Sequence, residues 1–277
     1  FSSGVESEIE GMIQVFSENL NRVFWGDGTG RLCLLNSTTN ITATSQFTVD
    51  TPGTRYLRVN QVVDWVLSPG STGPANTNMT IQTVSSSTEF STVTNLTASI
   101  TNNSLLTHTR SFNNEMMGLL GIVDDGTAVV TFQSIERNPV ATRRYWRGNV
   151  ISASGTAGTG AALTLDLMQR AYDQADELGG GRIDMIIAHH SVRREYMALL
   201  TPDVRYSPMQ LKGGFEVLTY AGGSRPTPFI FDRHGIVDQS GLTAGTNIGS
   251  IFFLDSSSLK FYLQKDFGWA DQDGRIL

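Results

Sequence analysis

Two long segments of the chain carry apolar residues at three- and four-residue steps, which is the spacing of one face of an α-helix. The first segment, residues 3–24, is closed by the glycine-rich turn GDGTG at 26–30, and the second, residues 163–181, ends in three consecutive glycines. Glycine readily adopts the left-handed conformation of a helix C-terminus. The repeating apolar positions are Ile9, Met12, Ile13, Phe16, Leu20 and Phe24 in the first segment, and Leu165, Met168, Ala171, Tyr172, Ala175 and Leu178 in the second. The pattern predicts two amphipathic helices, the second acting as a spine for the residues that follow.

Between these helices lies a long tract with the turn residues and short apolar runs of β-structure. The segments RLCLL, QFTV and YLRVNQVVDWV read as strands, and from Val66 to Thr107 the only charged residue is Glu89. Spaced apolar positions in MTIQTV and in 90–100 favour a thin antiparallel sheet that projects from the main body, while a partly ordered loop stays open as the alternative. Because such a sheet cannot bury much of its own surface, we expect it to lie on a neighbouring subunit.

The residues after the second helix alternate between strand and helix patterns. IDMIIA (183–188) is typical of a buried strand, SVRREYMALL of a short helix, and GGFEVLTYAGG and TPFIFD of further strands. The segments GSIFFLD and LKFYLQKDFGWADQDGRIL close the chain as strands. The whole pattern predicts an α+β protein in which a mixed α/β unit is built onto the far end of the spine helix.

Composition narrows the classes of function. The formal net charge of −6 argues against a dedicated nucleic-acid binder, which normally carries a basic surplus. The single cysteine, Cys33, cannot form an intrachain disulfide, and its setting in RLCLL predicts a small buried hydrophobe. No apolar run approaches the length of a membrane span, so we expect no membrane partner.

Several short motifs suggest chemistry, but each fits a structural role better. GDGTG follows a helix and opens a strand, the reverse of a dinucleotide fingerprint, and so predicts a turn. His189 and His190 are adjacent on a strand, where successive side chains point to opposite faces and cannot easily share a metal ion. The acidic pairs Asp124–Asp125 and Asp271–Asp273 lie beside glycines and predict β-turns. We therefore expect no enzyme activity, no cofactor and no metal.

The most basic stretch of the chain, ERNPVATRRYWRGNVI at 136–151, mixes cations with aromatic side chains. It contains Arg137, Arg143, Arg144, Tyr145, Trp146 and Arg147. Such a mixture can grip a nucleic-acid backbone or form a protein interface, where arginine and aromatic residues are enriched. Because the whole chain is acidic, we favour an interface.

The order of the segments is itself informative. A helix runs into WGDGTGRL, a Thr- and Ser-rich β tract follows, and then come MMGLLGIVDDG, RRYWRGNV, LTLDLMQRAYDQADELGGG and IDMIIAHHSVRREYMALL. GGFEVLTYAGG, TPFIFD, IFFLD and FGWADQDGRIL complete the series. In this order and spacing, over nearly its whole length, the chain resembles the major capsid proteins of tailed bacteriophages, which have the Hong Kong 97 fold.

The resemblance implies a division of the chain. Residues 1–30 would form an N-terminal arm and helix, and 31–112 a β-rich extended loop or insertion that reaches over a neighbour. Residues 113–181 would form the peripheral domain with the spine helix at 163–179, residues 182–250 the α/β axial domain, and 251–277 the return strands of the peripheral domain. A chain that begins at Phe1 without Met would suit the loss of an N-terminal segment during maturation.

The resemblance also implies a function. Such proteins assemble in the host bacterial cytoplasm into hexamers and pentamers of an icosahedral virion shell. Their partners are scaffold, portal and decoration proteins, and the packaged DNA meets the inner face without sequence specificity. In this setting Arg143, Arg144, Trp146 and Arg147 are our candidates for intersubunit contacts. Two alternatives are a phage tail or decoration protein, and a nucleotide- or metal-dependent enzyme.

We predict that Arg144→Glu leaves a soluble monomer but reduces the yield of assembled particles, because a carboxylate would replace a cation at a subunit contact. Negative-stain electron microscopy of the purified chain measures that yield. Shells in normal number would contradict the role of Arg144.

Overall fold

The computed structural model describes most of the chain, with gaps. The described residues are 2–50, 52–67, 73–127, 129–137, 146–153, 161–179, 182–200, 209–210, 216–223, 225–232, 237–238 and 248–262.

Four helices are present in the described residues, and both long predicted helices are among them. They are α1 (Ser2–Trp25), α2 (Leu119–Ile122), α3 (Leu165–Gly179) and α4 (His190–Leu200). The hydroxyl of Thr164 accepts a hydrogen bond from the Leu167 N–H (3.1 Å) and so caps the first turn of α3. The spine helix is therefore confirmed as a helix, with its first turn at the position that the capping residue predicts.

The β tract after α1 folds into one six-stranded antiparallel sheet. Its strands are β1 (Arg31–Leu34), β2 (Gln46–Thr48), β3 (Val62–Val66), β4 (Asn76–Val84), β5 (Glu89–Thr92) and β6 (Leu105–His108). Their spatial order is β1-β6-β3-β4-β5-β2. The two outer strands also meet, because Leu35 bridges Val49 just beyond the ends of β1 and β2. We call this unit the curled sheet.

The curled sheet has its own hydrophobic core. Trp65 and Phe90 stack with their ring centroids 6.3 Å apart, and Phe47 packs against both rings. Cys33, Ile81 and Ile100 are fully buried in the same core. The expectation of a thin sheet that cannot bury its own surface is therefore wrong. Curling brings one face of every strand into a shared interior, and this long-range closure leaves no signal in the local alternation of residues.

A buried carboxylate on β3 holds β4 and the turn after β6 in place. The Asp64 side chain on β3 accepts hydrogen bonds from the Asn78 N–H (2.8 Å), the Thr109 hydroxyl (3.1 Å) and the Arg110 N–H (3.2 Å). Asn78 and Arg110 both have left-handed backbone conformations, with φ of 54° and 66°. Such conformations are costly for residues other than glycine, so the carboxylate stabilises backbone that would otherwise relax.

A second, four-stranded sheet forms the core of the mixed α/β unit. It consists of β9 (Met185–His189), β12 (Thr219–Tyr220), β13 (Thr227–Asp232) and β16 (Ile251–Leu254), in the order β12-β13-β9-β16. β9 and β13 are parallel, and α4 follows β9 directly along the chain. Met168 of α3 and Tyr196 of α4 are buried with Phe229 of β13 in one cluster. The described part of the chain is thus an α+β protein, as the sequence predicts.

Three two-stranded hairpins complete the described strands. They are β7 (Thr131–Phe132) with β8 (Ile135–Glu136), β10 (Met209–Gln210) with β11 (Glu216–Val217), and β14 (Val237–Asp238) with β15 (Ile248–Gly249).

The C-terminal turns of α1 contact both sheets. Trp25 packs on Phe252 of β16 with ring centroids 5.6 Å apart, and the Asn21 amide donates to Asp232 of β13 (3.3 Å). The Arg22 guanidinium donates to the carbonyl of Arg31 at the start of β1 (3.1 Å). The end of α1 is therefore the structural link between the curled sheet and the four-stranded sheet.

We predict that Asp64→Ala lowers the free energy of unfolding of the curled sheet by roughly 3 kcal/mol, because buried donors lose their acceptor. Urea denaturation and amide hydrogen exchange within 31–108 measure the effect. The matched control is Glu89→Gln, an exposed change on β5 that should shift the midpoint little. Equal midpoints for the two variants would contradict the role of Asp64.

Candidate interaction surface

The first half of α1 extends away from the other described residues. The helix has 24 residues and is therefore about 36 Å long. Every side chain from Gly4 to Ser17 is exposed, whereas Arg22 and Trp25 in the last turns are buried. Only the C-terminal half of α1 is thus packed into the fold.

The exposed half of α1 carries a continuous apolar face. We define the α1 stripe as Val5, Ile9, Met12, Ile13 and Phe16. The exposed fractions of these side chains range from 37% for Ile9 to 56% for Met12. Their spacing places them on one side of the helix, along about three turns. A contiguous apolar strip of this kind on an extended element marks a site of protein association.

The charges beside the α1 stripe all have one sign. Glu6, Glu8 and Glu10 flank it, and the sequence has no Lys or Arg between Ser2 and Asn21. Helical spacing places Glu8 on one flank of the stripe, and Glu6 and Glu10 on the other. The surface that fits this face is therefore apolar along its centre and cationic at its rims.

A partly buried ion pair fixes the direction in which α1 leaves the fold. Arg22 Nη2 lies 2.6 Å from Glu115 Oε1, and the Ser111 hydroxyl donates to the same oxygen at 2.6 Å. A second ion pair joins Glu18 of α1 to Arg58 of the curled sheet at 3.2 Å, but Arg58 is half exposed. The pair of Arg22 and Glu115 is the stronger anchor, because solvent screens the more exposed one.

The predicted intersubunit residues lie in two parts of the structure. Arg143 and Arg144 lie outside the described residues. Trp146 is half exposed, and its indole N–H donates to the carbonyl of Phe132 (3.3 Å). The Arg147 guanidinium donates to the carbonyl of Asp125. Trp146 and Arg147 therefore rest against β7 and the turn after α2, and their role at a subunit contact stays a prediction.

Arg137 belongs to the interior. Its side chain is 0% exposed, and its guanidinium donates to the carbonyls of Gly121 (2.8 Å), Ile122 (3.1 Å) and Asp124 (3.1 Å). It also lies 3.7 Å from the Asp124 carboxylate. The grouping of Arg137 with cations that meet a partner is therefore wrong. The arginine caps the C-terminal carbonyls of α2, where the helix dipole favours a cation.

The other candidate motifs take structural roles. Asp27 accepts from the Thr29 N–H (3.0 Å) within GDGTG, and Asp124 accepts from the Gly126 N–H (2.7 Å), so both segments are turns as predicted. His189 accepts from the Ser191 N–H (3.2 Å) at the start of α4. Burial raises the pKa of the Cys33 thiol well above its usual range, so the thiol stays protonated.

The described residues contain neither a cluster of metal ligands nor a membrane-spanning helix. Among them no group of three or more His, Cys, Asp or Glu side chains could hold a metal ion. No described helix combines the length and the apolar character that crossing a membrane requires. Asp271 and Asp273 lie outside the described residues.

Sequence reasoning placed the candidate site in the basic segment and missed the α1 stripe. The stripe itself was visible in the spacing of Ile9, Met12, Ile13 and Phe16. The exposure of the stripe could not be predicted, because an amphipathic pattern gives the same signal whether the fold or a partner covers the apolar face.

We predict that Arg137→Met destabilises the segment around α2 by roughly 3–5 kcal/mol, because Asp124 and the α2 carbonyls lose a buried cation. Arg137→Lys should not restore stability, since one ammonium cannot reach three carbonyls as the planar guanidinium does. Thermal unfolding with limited proteolysis measures both variants. Wild-type behaviour of Arg137→Met would show that the capping contacts contribute little.

No family model matches the chain, and no curated protein and no solved structure matches it either. Its function is therefore inferred from its own sequence pattern and geometry.

Proposed function

We propose that the chain is a major capsid protein of a tailed bacteriophage, with a Hong Kong 97-type fold, that self-assembles into hexamers and pentamers of an icosahedral head around DNA. Its site of action is the virion capsid, and it acts as a structural protein. The α1 stripe carries this proposal. No described residue covers this long apolar helix face, so a partner is needed to bury it, and a shell provides many copies of one partner.

The arrangement after the β tract also supports the proposal. α3 leads into β9, α4 and the four-stranded sheet, which is the long helix feeding an α/β unit expected of a capsid subunit. A tail or decoration protein is expected to lack this arrangement. The partners we propose are further copies of the chain, together with scaffold, portal and decoration proteins.

In this proposal the curled sheet acts as a rigid body and not as a thin extended loop. Its aromatic core is complete without a neighbour, so it can present a rigid surface to an adjacent subunit. Its exposed side chains include many uncharged Ser, Thr and Asn residues. Such a surface suits contacts that are polar, hydrated and individually weak, as expected where a shell must assemble reversibly before it closes.

We predict that Met12→Asp prevents assembly while leaving the subunit folded. Burying a methionine side chain contributes about 1.5–3 kcal/mol, and a charge in its place adds a desolvation cost, so each contact should weaken at least tenfold. Size exclusion with negative-stain electron microscopy gives the assembled fraction, and circular dichroism checks the fold.

The matched control is Val93→Asp. Val93 is 62% exposed on the curled sheet, so this change introduces the same charge on an apolar residue of similar exposure away from α1. Shells or rings from wild type and Val93→Asp, but not from Met12→Asp, are the expected result. A wild-type chain that stays a monomer and does not inhibit particle assembly would overturn the proposal. Assembly of Met12→Asp would show that the α1 stripe does not form the subunit contact.

A further inference from the structure

A second α1 stripe is a poor partner for the first. The charges that flank the stripe are Glu6, Glu8 and Glu10, and the sequence has no Lys or Arg between Ser2 and Asn21. When two helices pack face to face, the flanks of one meet the flanks of the other, and here every such meeting would join two carboxylates. We therefore expect the surface that covers the stripe on a different part of the neighbouring copy.

The β7–β8 hairpin exposes an apolar surface, which we call the hairpin patch and define as Val130, Phe132, Ile135 and Trp146. The register sets Phe132 opposite Ile135, and Val130 lies two residues before Phe132, so these three side chains share one face of the hairpin. The Trp146 ring packs on Phe132 with the ring centroids 5.8 Å apart. Trp146 is 36% exposed and Val130 44%. A tryptophan among exposed aliphatic side chains is the composition of an interface hot spot.

The hairpin patch is held in place within its own chain. The turn residues Gln133 and Ser134 have φ of 50° and 62°, the left-handed pair typical of a tight two-residue hairpin turn. The Trp146 N–H donates to the Phe132 carbonyl (3.3 Å), and the guanidinium carbon of Arg137 lies 4.8 Å from the centre of the Phe132 ring. Because these contacts fix the patch, little conformational entropy is lost when an apolar surface packs on it.

The charges of the surrounding sequence suit the glutamates of α1. The segment 136–151 contains four arginines and one glutamate, and two of the arginines, Arg143 and Arg144, lie outside the described residues. Glu136 is next to a patch residue on β8, and successive side chains of a strand point to opposite faces, so this carboxylate faces away from the patch. An apolar patch within a basic segment complements an apolar stripe flanked by carboxylates.

The acidic residues of the turn after α2 are close to cations of their own. The Asp124 carboxylate lies 3.7 Å from the Arg137 guanidinium. The Arg147 guanidinium donates to the carbonyl of Asp125, which brings a cation to that residue as well. Neither aspartate therefore leaves an unbalanced negative charge beside the hairpin patch.

The exposed apolar side chains of α3 fit the stripe less well. Leu165 and Leu178 are exposed at the two ends of this helix. Asp166 follows Leu165, and Glu177 precedes Leu178. The glutamates of α1 would therefore meet charges of their own sign on α3.

We propose that the α1 stripe of one copy packs on the hairpin patch of the next, so that the copies associate head to tail. The contact rests on the proposed function, because it names the surface that covers the stripe in a shell. Each copy then offers one stripe and one patch, and successive copies close into a ring when the rotation between them fits. A contact of stripe with stripe would instead end at dimers.

The test uses two variants that each lack one half of the contact. Met12→Asp places a charge in the stripe and keeps the patch, whereas Ile135→Asp places a charge in the patch and keeps the stripe. Both side chains are exposed, so both variants should fold, which circular dichroism checks. Each variant alone should associate at least tenfold more weakly than wild type. Mixed in equal amounts, they should form one-to-one dimers that cannot grow, because one intact stripe meets one intact patch.

Native mass spectrometry, with one variant isotopically labelled, distinguishes mixed dimers from dimers of either variant alone. The matched control is Val93→Asp, which adds the same charge to an exposed apolar side chain of the curled sheet and should associate like wild type. Raising the NaCl concentration from about 50 to about 300 mM should weaken the mixed dimers several-fold, because salt screens the attraction between glutamates and arginines. A contact between two α1 stripes would strengthen instead, since salt would screen a repulsion.

A second measurement locates the contact without depending on the strength of one dimer. Benzoylphenylalanine in place of Ile9 crosslinks, on irradiation, to the surface that covers the stripe when copies associate. Mass spectrometry should find the intermolecular crosslinks within 129–137 or 146–153. Crosslinks from α1 to α1, or from α1 to the curled sheet, would overturn the head-to-tail contact.

The contact and the proposed function can fail separately. Mixed dimers from a chain whose wild type forms no shells would keep the contact and reject the capsid function. Wild-type shells, together with unpaired mixtures and crosslinks elsewhere, would keep the capsid function and reject the contact. Self-association of Ile135→Asp at the wild-type level would show that the hairpin patch takes no part.

Discussion

The architecture depends on the ion pair between Arg22 and Glu115, because it holds the end of α1 against the curled sheet. One turn later, Trp25 packs on the four-stranded sheet. Two units with separate cores, one around Trp65 and one around Phe229, are thus joined through a few side chains of one helix. A charge pair is suited to such a link, because its directional hydrogen bonds fix an angle that apolar packing alone leaves adjustable.

The helices could be predicted from the sequence because their signals are local. The spacing of apolar residues, the Thr164 cap and the terminal glycines specify α3 nearly to the residue. The closure of the curled sheet could not be predicted in this way. It depends on the pairing of Leu35 with Val49 and on a carboxylate at Asp64 that serves backbone far along the chain. Neither contact has a signature within a window of a few residues.

The same difference between local and long-range signals applies to the candidate site. The sequence pattern predicts an apolar face on α1 and a cluster of arginines. It does not show which of these arginines are buried. Arg137 differs from Arg147 by its position beside the end of α2, where three carbonyls need a donor. The sequence shows where a cation lies along the chain, whereas only the fold shows whether it lies beside the unpaired carbonyls at the end of a helix. α3 packs on the four-stranded sheet through Met168, and the link between the two units lies at the end of α1.

The exposed α1 stripe can associate with other apolar surfaces, so its contacts have to be restricted to the correct partner. Left free, the α1 stripe would promote association of any kind, since apolar contact is not directional. Two features restrict it in this chain. Glu6, Glu8 and Glu10 flank the stripe, so a second α1 stripe would meet charges of the same sign. The Arg22–Glu115 pair fixes the exit of the helix. The surface most able to associate therefore leaves the fold in an orientation determined by the residues that hold the end of α1.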